Sequence, residues 1–553
     1  MEGMPPYPQA LQRKYQRNGW WINMTIVQAF DRTCDIYPEK EAVVEGQHRL
    51  TFLQLQEKTQ EAARAFASVG IGNGDSVLLQ VPNWIEAIYI YMGLQRVGAV
   101  PVMCLPRHGQ RELERFCELT QAKAWIGATS FGKTDYMPMV KGVKEKFHSL
   151  EQAIVVRSEA PTGMVSFSRL MEDCQKGGRL NKQKYKTPTD PNEVLHLAPT
   201  GGTTGLPKLV PKTHNNHLSK SVYFAKSLEL GPREVNLTFS PLNHDAIHLL
   251  NYSLMALMGQ KMVMCPSTRM EDIVENIARE RVTYSFFVPA LLTDFLHMPD
   301  LEKYDLSSLK TLNTGGAHCP AELAKLAMTT LGKLKCRFHS CYGMTEGAGT
   351  ATRHGDPEDV MTWTVGKAIC PYDEYRAVDE SGAAVPAGQD GELAAKGPCI
   401  VSGYFKSDEE NQKVFTPDGF FRTGDLVKFD KRGNMIITGR KKDVINRGGE
   451  KVSAYEVEEM LHAFPGVLRA AVIGMPDARL GERICAYIQP KDNKTLNNAE
   501  ILAFLKEKGA SFLLLPERIE MVPSLPLTAM DKVDKQKLKE DISQKLRAEG
   551  KIP

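Results

Sequence analysis

The chain has 553 residues, of which 42% are hydrophobic and 24% are charged. A chain of this length and composition is expected to fold into two or more globular domains. Its 69 Lys and Arg residues nearly balance 66 Asp and Glu residues, and the net charge of +3 argues against nucleic-acid binding through a general basic field.

Three further sequence features bear on location. No apolar run approaches the roughly 18 residues of a membrane-spanning helix, so no membrane partner is expected. The N-terminus, residues 1–6, lacks the basic and then apolar order of a signal peptide. The 11 cysteines are scattered without a Cys-x-x-Cys pair, which is typical of a reduced protein and not of a disulfide scaffold or zinc site. A cytoplasmic protein is therefore expected.

The first part of the chain alternates between helical and strand patterns. Residues 1–24 carry aromatic and basic side chains and are expected to form a helix packed onto the body. Apolar spacing predicts helices at residues 55–69 and 84–97 and buried strands at residues 76–81 and 98–102. Such alternation predicts a layered α/β fold with mostly parallel sheets.

A run rich in glycine and threonine follows a strand predicted at residues 194–198. The run is Thr200-Gly201-Gly202-Thr203-Thr204-Gly205-Leu206-Pro207-Lys208. Glycines let backbone N–H groups turn toward an anion, threonine hydroxyls add donors, and Lys208 adds a positive charge. The run therefore predicts a phosphate-binding loop, with a flexible surface loop as the alternative. It is not a Walker A loop, because Lys208 follows Pro207 and not a glycine.

A second glycine motif follows the last of three further predicted strands, at residues 262–265, 283–288 and 311–313. The motif is Asn313-Thr314-Gly315-Gly316-Ala317. Glycines at a strand end would let a flat ring lie against the backbone, with peptide groups bonding to its edge.

The third motif combines an aromatic ring, a hydroxyl and a carboxylate. It is Cys341-Tyr342-Gly343-Met344-Thr345-Glu346-Gly347. Tyr342 could stack on adenine, Thr345 could reach an α-phosphate, and Glu346 could hold the magnesium ion that neutralises a triphosphate. The alternative is a helix start capped by Thr345 and Glu346.

The fourth motif ends in a short carboxylate after a glycine turn. It is Phe421-Arg422-Thr423-Gly424-Asp425. A carboxylate in this position is suited to accept hydrogen bonds from ribose hydroxyls. Arg440 supplies a fixed cation for the same nucleotide.

The composition changes after Gly439, where a charged step at residues 441–443 precedes a new set of elements. A helix is predicted at residues 455–463, a strand at 468–473 and a charged helix at 532–552. We therefore expect a boundary at Lys442, between a large domain (1–441) and a small α+β domain (442–553).

The fifth motif lies near the C-terminus. It is Leu525-Pro526-Leu527-Thr528-Ala529-Met530-Asp531-Lys532-Val533-Asp534. Taken together and in this order, the five motifs resemble those of the adenylate-forming superfamily, which includes acyl-CoA and aryl-CoA synthetases, adenylation domains of peptide synthetases and beetle luciferases. The resemblance covers residues 10–545.

The resemblance implies that a carboxylic acid and ATP form an acyl-adenylate and pyrophosphate, with Mg²⁺ held by Glu346. It places the phosphates on the loop at residues 200–208, adenine against Gly315, Gly316, Ala317 and Tyr342, and ribose on Asp425. Lys532 matches an essential lysine, whose ammonium would stabilise the transition state between the carboxylate and the α-phosphate. The family glycine before this lysine is Asp531 here, which leaves the strength of Lys532 open.

The resemblance also implies a second half-reaction, in which the acyl group passes to a thiol. The family rotates its C-terminal domain about one hinge residue, which matches Lys442. After rotation, Gly448 and Gly449 would line the tunnel for a pantetheine arm.

Within the superfamily the chain is most similar to stand-alone aryl-acid AMP ligases of siderophore assembly. Their pocket matches His244, Asp245, Leu250 and Gly349, together with Gly315. Asp245 replaces an Asn, Leu250 a catechol-binding Ser, and Gly349 a Val, so a deeper pocket and an amino or ring-nitrogen substituent are expected. The alternative is that Asp245 points to solvent or pairs with His244 or His248.

Other functions stay open at this point. Within the enzyme class they are a 2,3-dihydroxybenzoate or salicylate ligase, an amino-acid-adenylating enzyme, an aliphatic acyl-CoA synthetase and a luciferase-like oxidoreductase. A non-catalytic nucleotide-binding regulator is the alternative outside it. The thiol acceptor is either CoA or an aryl carrier protein, and relatives in this superfamily are commonly homodimers.

Overall fold

The fold is that of a computed structural model. The structure describes residues 2–176, 185, 187–200, 207–493, 495–528 and 532–552. Of the predicted site residues, Gly201, Gly202, Thr203, Thr204 and Gly205 lie outside this described part, as does Asp531.

The α-helices are mostly amphipathic and cover the sheets. In chain order they are α1 Gln9–Arg17, α2 Ile26–Ile36, α3 Phe52–Ser68, α4 Ile85–Val97, α5 Gln110–Thr120, α6 Met137–Lys146, α7 Phe167–Lys176, α8 His214–Ser227, α9 Asp245–Ile247, α10 Ser253–Met258, α11 Met270–Glu280, α12 Pro289–Leu296, α13 Ala321–Lys333, α14 Glu358–Trp363, α15 Asp408–Val414, α16 Ala454–His462, α17 Asn498–Glu507 and α18 Lys535–Ala548. A π-helical turn covers His248–Tyr252, and 3-10 turns cover Leu301–Lys303, Lys441–Asp443, Lys491–Asn493 and Phe512–Leu514.

The strands are short and many are fully buried. In chain order they are β1 Glu41–Glu45, β2 His48–Thr51, β3 Ser76–Gln80, β4 Val100–Met103, β5 Ala124–Ala128, β6 Ser130–Phe131, β7 Thr134–Asp135, β8 Gln152–Val156, β9 Val165–Ser166, β10 Val194–Pro199, β11 Leu209–Thr213, β12 Val235–Thr238, β13 Lys261–Met264, β14 Tyr284–Phe287, β15 Thr311–Thr314, β16 Arg337–Gly343, β17 Gly349–Ala351, β18 Lys367–Ala368, β19 Glu374–Val378, β20 Gly391–Lys396, β21 Phe421–Phe429, β22 Met435–Arg440, β23 Val444–Arg447, β24 Glu450–Ser453, β25 Val467–Asp477, β26 Gly481–Pro490 and β27 Arg518–Met521.

Two large, mostly parallel sheets form the body of the protein. One has the strand order β18-β17-β16-β15-β14-β12-β13-β1-β2, and the other has the order β11-β10-β4-β3-β5-β8-β9. Strands such as β3 and β5 are buried along their whole length, as expected of parallel strands covered by helices on both faces. The predicted layered α/β fold is confirmed.

Two smaller sheets complete the chain. β19, β20, β21 and β22 form an antiparallel sheet that carries Asp425 and Arg440, and β23 to β27 form the sheet of the C-terminal part. The chain passes from one to the other through the 3-10 turn Lys441–Asp443, which contains the predicted hinge residue. The division of the chain at Lys442 stays a prediction.

The N-terminal arm differs from the single helix predicted over residues 1–24. Only α1 is helical there, because Pro8 precedes it and Gly19, with φ +66°, follows its end. The aromatic side chains of Tyr7 and Trp21 are buried, and each donates a hydrogen bond to the segment before β21, Tyr7 to Ile400 O and Trp21 to Pro398 O.

No helix within the described ranges is long and apolar enough to span a membrane. All 11 cysteines are free thiols, as the scattered spacing predicts.

Candidate active site

A cavity of about 900 Å³ lies between the body of the protein, which contains the two large sheets, and the C-terminal part, which begins after the 3-10 turn Lys441–Asp443. The carboxyl ends of the parallel neighbours β15 and β16 reach it, which is where open α/β sheets place their ligands. Each of the five motifs contributes at least one described residue to its wall, although Lys208 and Gly315 do not line it. The predicted site residues lining it are Thr200, His244, Asp245, Leu250, Gly316, Ala317, Tyr342, Thr345, Glu346, Gly349, Asp425, Arg440, Lys442 and Lys532.

Tyr342, Asp425 and Arg440 form one hydrogen-bonded cluster at this wall. The Tyr342 hydroxyl donates a hydrogen bond to Asp425 Oδ2 at 2.7 Å, and Arg440 Nε donates one to Asp425 Oδ1. β21 and β22 are paired so that Asp425 lies opposite Arg440, which explains the ion pair. Burial, with the Asp425 charge beside it, raises the pKa of Tyr342 well above its usual range, so the phenol stays protonated. The cluster offers a ring face and a buried carboxylate side by side, as the predicted adenosine site requires.

Thr345 and Glu346 lie on the loop after β16. The Glu346 carboxylate is buried and accepts a 2.6 Å hydrogen bond on Oε1 from Tyr404. The loop is held close to its neighbours, since Gly347 has φ +124° and a Cβ there would lie 2.0 Å from Cys399 O. A carboxylate is the kind of ligand that Mg²⁺ prefers, so Glu346 fits the predicted metal role.

Lys208 lies at the end of the predicted phosphate loop. Its ammonium pairs with Glu410 and stands 4.7 Å from the centre of the Tyr404 ring. Lys208 N also donates to Thr200 Oγ1 at 3.2 Å, which closes the base of the loop. An entering polyphosphate would therefore compete with Glu410 for this lysine.

Lys532 reaches the cavity from the C-terminal part. A Cβ on Gly316 would stand 3.7 Å from Lys532 Cε and 3.8 Å from Val288 Cγ1, so the lysine lies against the glycine loop after β15. Burial, and then the charge of Arg440, lower the pKa of Lys532 to about 8. Burial and the Lys532 charge lower the pKa of His244 to about 4, so this imidazole is neutral beside the ammonium.

Contacts between the two parts of the chain hold Lys532 in this position. Arg107 donates to Thr528 O at 3.2 Å, and Glu459 on α16 accepts hydrogen bonds from His318 and from Ala321 N, each at 2.7 Å. Arg469 donates to Ala290 O at 2.9 Å. This is the arrangement in which the lysine of the fifth motif is inserted.

The predicted thiol-tunnel residues are not part of this cavity. Gly448 and Gly449 form the turn between β23 and β24, with φ +63° and +96°. Gly448 N donates to Leu480 O at 2.8 Å within the C-terminal part. The structure brings together the residues predicted for adenylation and leaves those predicted for thiol transfer apart.

Asp245 lies deep in the protein, and the partners considered for it from the sequence are wrong. It is 5% exposed and pairs with Lys212, whose Nζ stands 3.4 Å from Oδ2, while His217 Nδ1 and His196 Nε2 stand 3.4 and 3.7 Å from Oδ1. Although burial opposes ionisation, Lys212 and these imidazoles hold the pKa of Asp245 well below its usual range. The cation that a buried carboxylate needs is thus supplied by the protein.

Three buried imidazoles surround this ion pair. His217 Nε2 lies 3.0 Å from His248 Nδ1, and the Tyr91 hydroxyl lies 2.9 Å from His196 Nδ1. Burial lowers the pKa of all three histidines, that of His217 to about 3, so they are neutral. Lys212 also donates to Thr345 O at 2.6 Å and so ties the acid pocket to the third motif.

Gly349 does not deepen the pocket as the sequence predicted. A Cβ at this position would stand 3.1 Å from Ile369 Cδ1 and 3.3 Å from Lys220 Cε. The space left by the missing side chain therefore holds Ile369 and the end of Lys220. Leu250, in the π-helical turn, is 4% exposed and contributes an apolar wall.

Two buried lysines next to the acid pocket were not among the site residues predicted from the sequence. Lys212 and Lys220 lie on β11 and at the middle of α8, and their exposures are 0% and 6%. A lysine in an otherwise apolar or small-residue segment was the available signal, but no pattern in the sequence pairs Lys212 with Asp245.

Comparison with known proteins gives a consistent picture. The family model described as AMP-binding enzyme matches residues 30–405, and that of the AMP-binding enzyme C-terminal domain matches residues 456–532. The chain is 35% identical to the 2,3-dihydroxybenzoate-AMP ligase of Bacillus subtilis, over 99% of both chains. It is 33% identical to the salicyl-AMP ligase / salicyl-S-ArCP synthetase of Mycobacterium tuberculosis, over 96% of this chain and 93% of that one. The apo structure of Mycobacterium smegmatis MbtA aligns with a TM-score of 0.73 at 32% identity, covering 97% of this chain and 98% of that one.

Proposed function

Since the chain belongs to the AMP-binding enzyme family, we propose that it uses ATP to activate an aromatic or heteroaromatic carboxylic acid and then transfers the acyl group to a pantetheine thiol. The resemblance to aryl-acid AMP ligases is confirmed by relatives that match over nearly the whole chain. The observation that carries the proposal is the insertion of Lys532 into the cavity that also holds the Tyr342, Asp425 and Arg440 cluster.

The first half-reaction joins the acid to the α-phosphate. A carboxylate oxygen attacks the α-phosphorus, the bond to the bridging oxygen breaks, and pyrophosphate leaves with that electron pair. We assign the stabilisation of the carboxylate and α-phosphate to Lys532, since its ammonium lies near the glycine loop after β15 and near the neutral His244. Glu346 would hold a Mg²⁺ ion, which when bound neutralises phosphate charge.

The second half-reaction needs a different arrangement of the C-terminal part. The thiol sulfur attacks the acyl carbonyl carbon, and AMP leaves as the bond between acyl carbon and phosphate oxygen breaks. Lys532 lines the cavity in this arrangement, and Gly448 and Gly449 lie outside it. Rotation about Lys442 would withdraw the lysine and bring the β23–β24 turn to the cavity. The acceptor we propose is the pantetheine of a separate carrier protein, in line with the salicyl-S-ArCP synthetase of M. tuberculosis, with CoA as the alternative.

The identity of the acid depends on the pocket around Asp245. The named relatives act on 2,3-dihydroxybenzoate and salicylate, so both acids are candidates. The amino or ring-nitrogen substituent predicted from Asp245 stays a prediction, although Lys212 already provides that carboxylate with a cation. A cytoplasmic location and a homodimer also stay predictions.

Acid-dependent exchange of pyrophosphate into ATP tests the proposal. The panel should contain hydroxybenzoic, aminobenzoic, pyridine-carboxylic and quinoline-carboxylic acids, aliphatic acids and amino acids. Strong exchange with an aromatic acid supports it. Exchange only with aliphatic or amino acids would contradict the substrate class, and no exchange with any acid would favour the non-catalytic regulator.

A further inference from the structure

We propose that Lys220 determines which aromatic acid is accepted, by binding an oxygen substituent that carries negative charge, such as a second carboxylate or an acidic phenol. This inference rests on the proposed function, because it names the class of acid for the same cavity. Lys220 was not among the residues expected to form the pocket, and nothing in the five motifs includes it.

Lys220 is an ammonium group at the wall of the acid pocket. It projects from the middle of α8, is 6% exposed, and lines the cavity together with Phe224, Leu250 and Ile369. Its Nζ donates to two backbone carbonyls, Met344 O at 3.3 Å and Ala348 O at 3.5 Å. Both hydrogen bonds are longer than the distance of about 2.7–3.2 Å that is usual between a nitrogen donor and an oxygen acceptor. Two weak acceptors leave the third proton of this ammonium for a ligand.

The charge of Lys220 is not matched by a nearby carboxylate. Among the described residues no Asp or Glu oxygen lies within 4.0 Å of its Nζ, whereas Lys212 is paired with Asp245. Burial, and then the charge of Lys212, lower the pKa of Lys220 to about 8, so most of this group is charged at pH 7. The carboxyl of Asp373 does not act as a full counter-ion, since burial raises its pKa to about 7 despite Lys220. A buried cation without a partner is costly, so an anionic ligand that reaches it gains binding free energy.

The neighbouring side chains give Lys220 its place in the pocket. Gly349 has no Cβ, and one placed there would stand 3.3 Å from Lys220 Cε. Glycine at this position is therefore what allows the lysine to extend along the wall. The apolar residues Phe224, Leu250 and Ile369, each 5% exposed or less, line the same cavity, so the ammonium shares its wall with surfaces suited to an aromatic ring.

Lys220 and Lys532 contact different parts of the cavity wall. Lys532 lies against Gly316, just after β15, whereas Lys220 donates to Met344 O and Ala348 O in the turn between β16 and β17. The two cations therefore have different roles. Lys532 contacts the carboxylate that is activated, and Lys220 contacts a substituent elsewhere on the ring.

The test compares matched acids in pyrophosphate exchange with the wild-type protein, Lys220→Met and a control, Lys226→Met. Lys226 lies on the same helix but is exposed, with its ammonium over the Tyr223 ring. The acids are benzoate, 3- and 4-hydroxybenzoate, isophthalate, terephthalate and the monomethyl esters of the two diacids. We expect the wild-type protein to prefer a diacid, whose second carboxylate is ionised at pH 7, over benzoate and the hydroxybenzoates, whose phenols are neutral at that pH. Lys220→Met should raise the KM for the diacid about tenfold to a hundredfold, change kcat less, and leave the KM for benzoate unchanged.

Several outcomes would overturn the inference. An equal loss of activity toward benzoate and the oxygen-bearing acid would give Lys220 a structural role only, as would a fall in melting temperature that accounts for the loss. Equal use of a diacid and its monomethyl ester by the wild-type protein would also contradict it. Calorimetric binding of the same acids in the absence of exchange separates this inference from the proposed function. In one outcome, no acid supports exchange while Lys220→Met still weakens binding of the oxygen-bearing acid selectively. That result would contradict the proposed reaction but support the role of Lys220 in binding the acid.

Discussion

Asp245 and Lys212 form an ion pair inside the protein, with Oδ2 3.4 Å from Nζ and side-chain exposures of 4% and 0%. The pair joins the acid pocket to the nucleotide side, because the same Nζ donates to Thr345 O. An acid pocket that contains its own charge pair does not need a charged substrate group to balance Asp245. Asp245 therefore has two roles to be separated by experiment: stabilising Lys212 and contacting the acid.

Replacing Asp245 with Asn separates its structural role from its substrate role. We expect the free energy of unfolding to fall by about 3–5 kcal/mol, because Lys212 is then a buried charge without a partner. Denaturant unfolding measures this loss. The double variant Asp245→Asn with Lys212→Met removes both charges and should recover most of the stability.

The same Asp245→Asn variant tests the predicted nitrogen-bearing substrate. A direct contact between Asp245 and the acid predicts a shift of preference from amino-aryl toward hydroxy-aryl acids in pyrophosphate exchange. If the order of preference among the acids does not change, that prediction is wrong and Asp245 serves as the partner of Lys212.

Lys532→Ala should reduce pyrophosphate exchange roughly 100- to 1,000-fold, since it removes a cation aimed at the charge that develops in the transition state. Transfer of the acyl group from a supplied acyl-adenylate to pantetheine should change far less, because that step requires the lysine to be withdrawn. Lys537→Ala is the matched control, since this lysine of α18 is 62% exposed and pairs with Asp534 at 3.7 Å. A similar loss in both half-reactions would argue against the assignment.

The pH profile of kcat/KM should report the pKa of Lys532. The protonated form is the active one, so exchange should be constant below the pKa of about 8 and fall tenfold per pH unit above it. Because Lys220 has a similar pKa, the profile is measured in Lys220→Met as well, and the limb that remains belongs to Lys532. Lys532→Arg should move this limb to higher pH; a limb that stays in place in that variant would assign it to another group.

Lys442→Pro tests the hinge. Proline fixes φ near −65° and so restricts rotation at this position. We expect adenylation to be spared and thioester formation to be abolished, as followed by exchange and by acyl transfer in the same preparation. Lys442→Ala, which removes the side chain but leaves the backbone free, is the control. Equal loss of both steps in Lys442→Pro would reject a hinge at this residue.

Asp425→Asn should raise the KM for ATP by about tenfold to a hundredfold, because a charge-assisted acceptor for ribose contributes about 1.5–3 kcal/mol. The KM for the acid should change little. Asp418→Asn, an exposed carboxylate that lies in the turn before β21, is the control. If the KM for the acid rises instead of the KM for ATP, Asp425 binds the acid and not the ribose.

Most of the fold's elements could be predicted from the sequence because their signals are local. The buried runs that became β3, β10 and β14, and the apolar spacing of α3 and α4, depend on residues a few positions apart. The single helix predicted over residues 1–24 was too long, because Pro8 and Gly19 limit α1. The contacts that Tyr7 and Trp21 of this arm make lie 393 and 377 positions away in the chain. No local pattern records such contacts.

The sequence by itself determined the chemistry of this protein, because each motif places its reacting groups within a few residues and the order of motifs identifies the superfamily. Only the tertiary structure decided which charges meet. Lys212 on β11 reaches Asp245, and Lys220 on α8 occupies the space beside Gly349, which is 129 positions further along the chain. We expect substrate choice to depend on these contacts. A buried charge is stabilised by whichever partner the fold brings within a few ångströms, and distance in the sequence does not determine that partner.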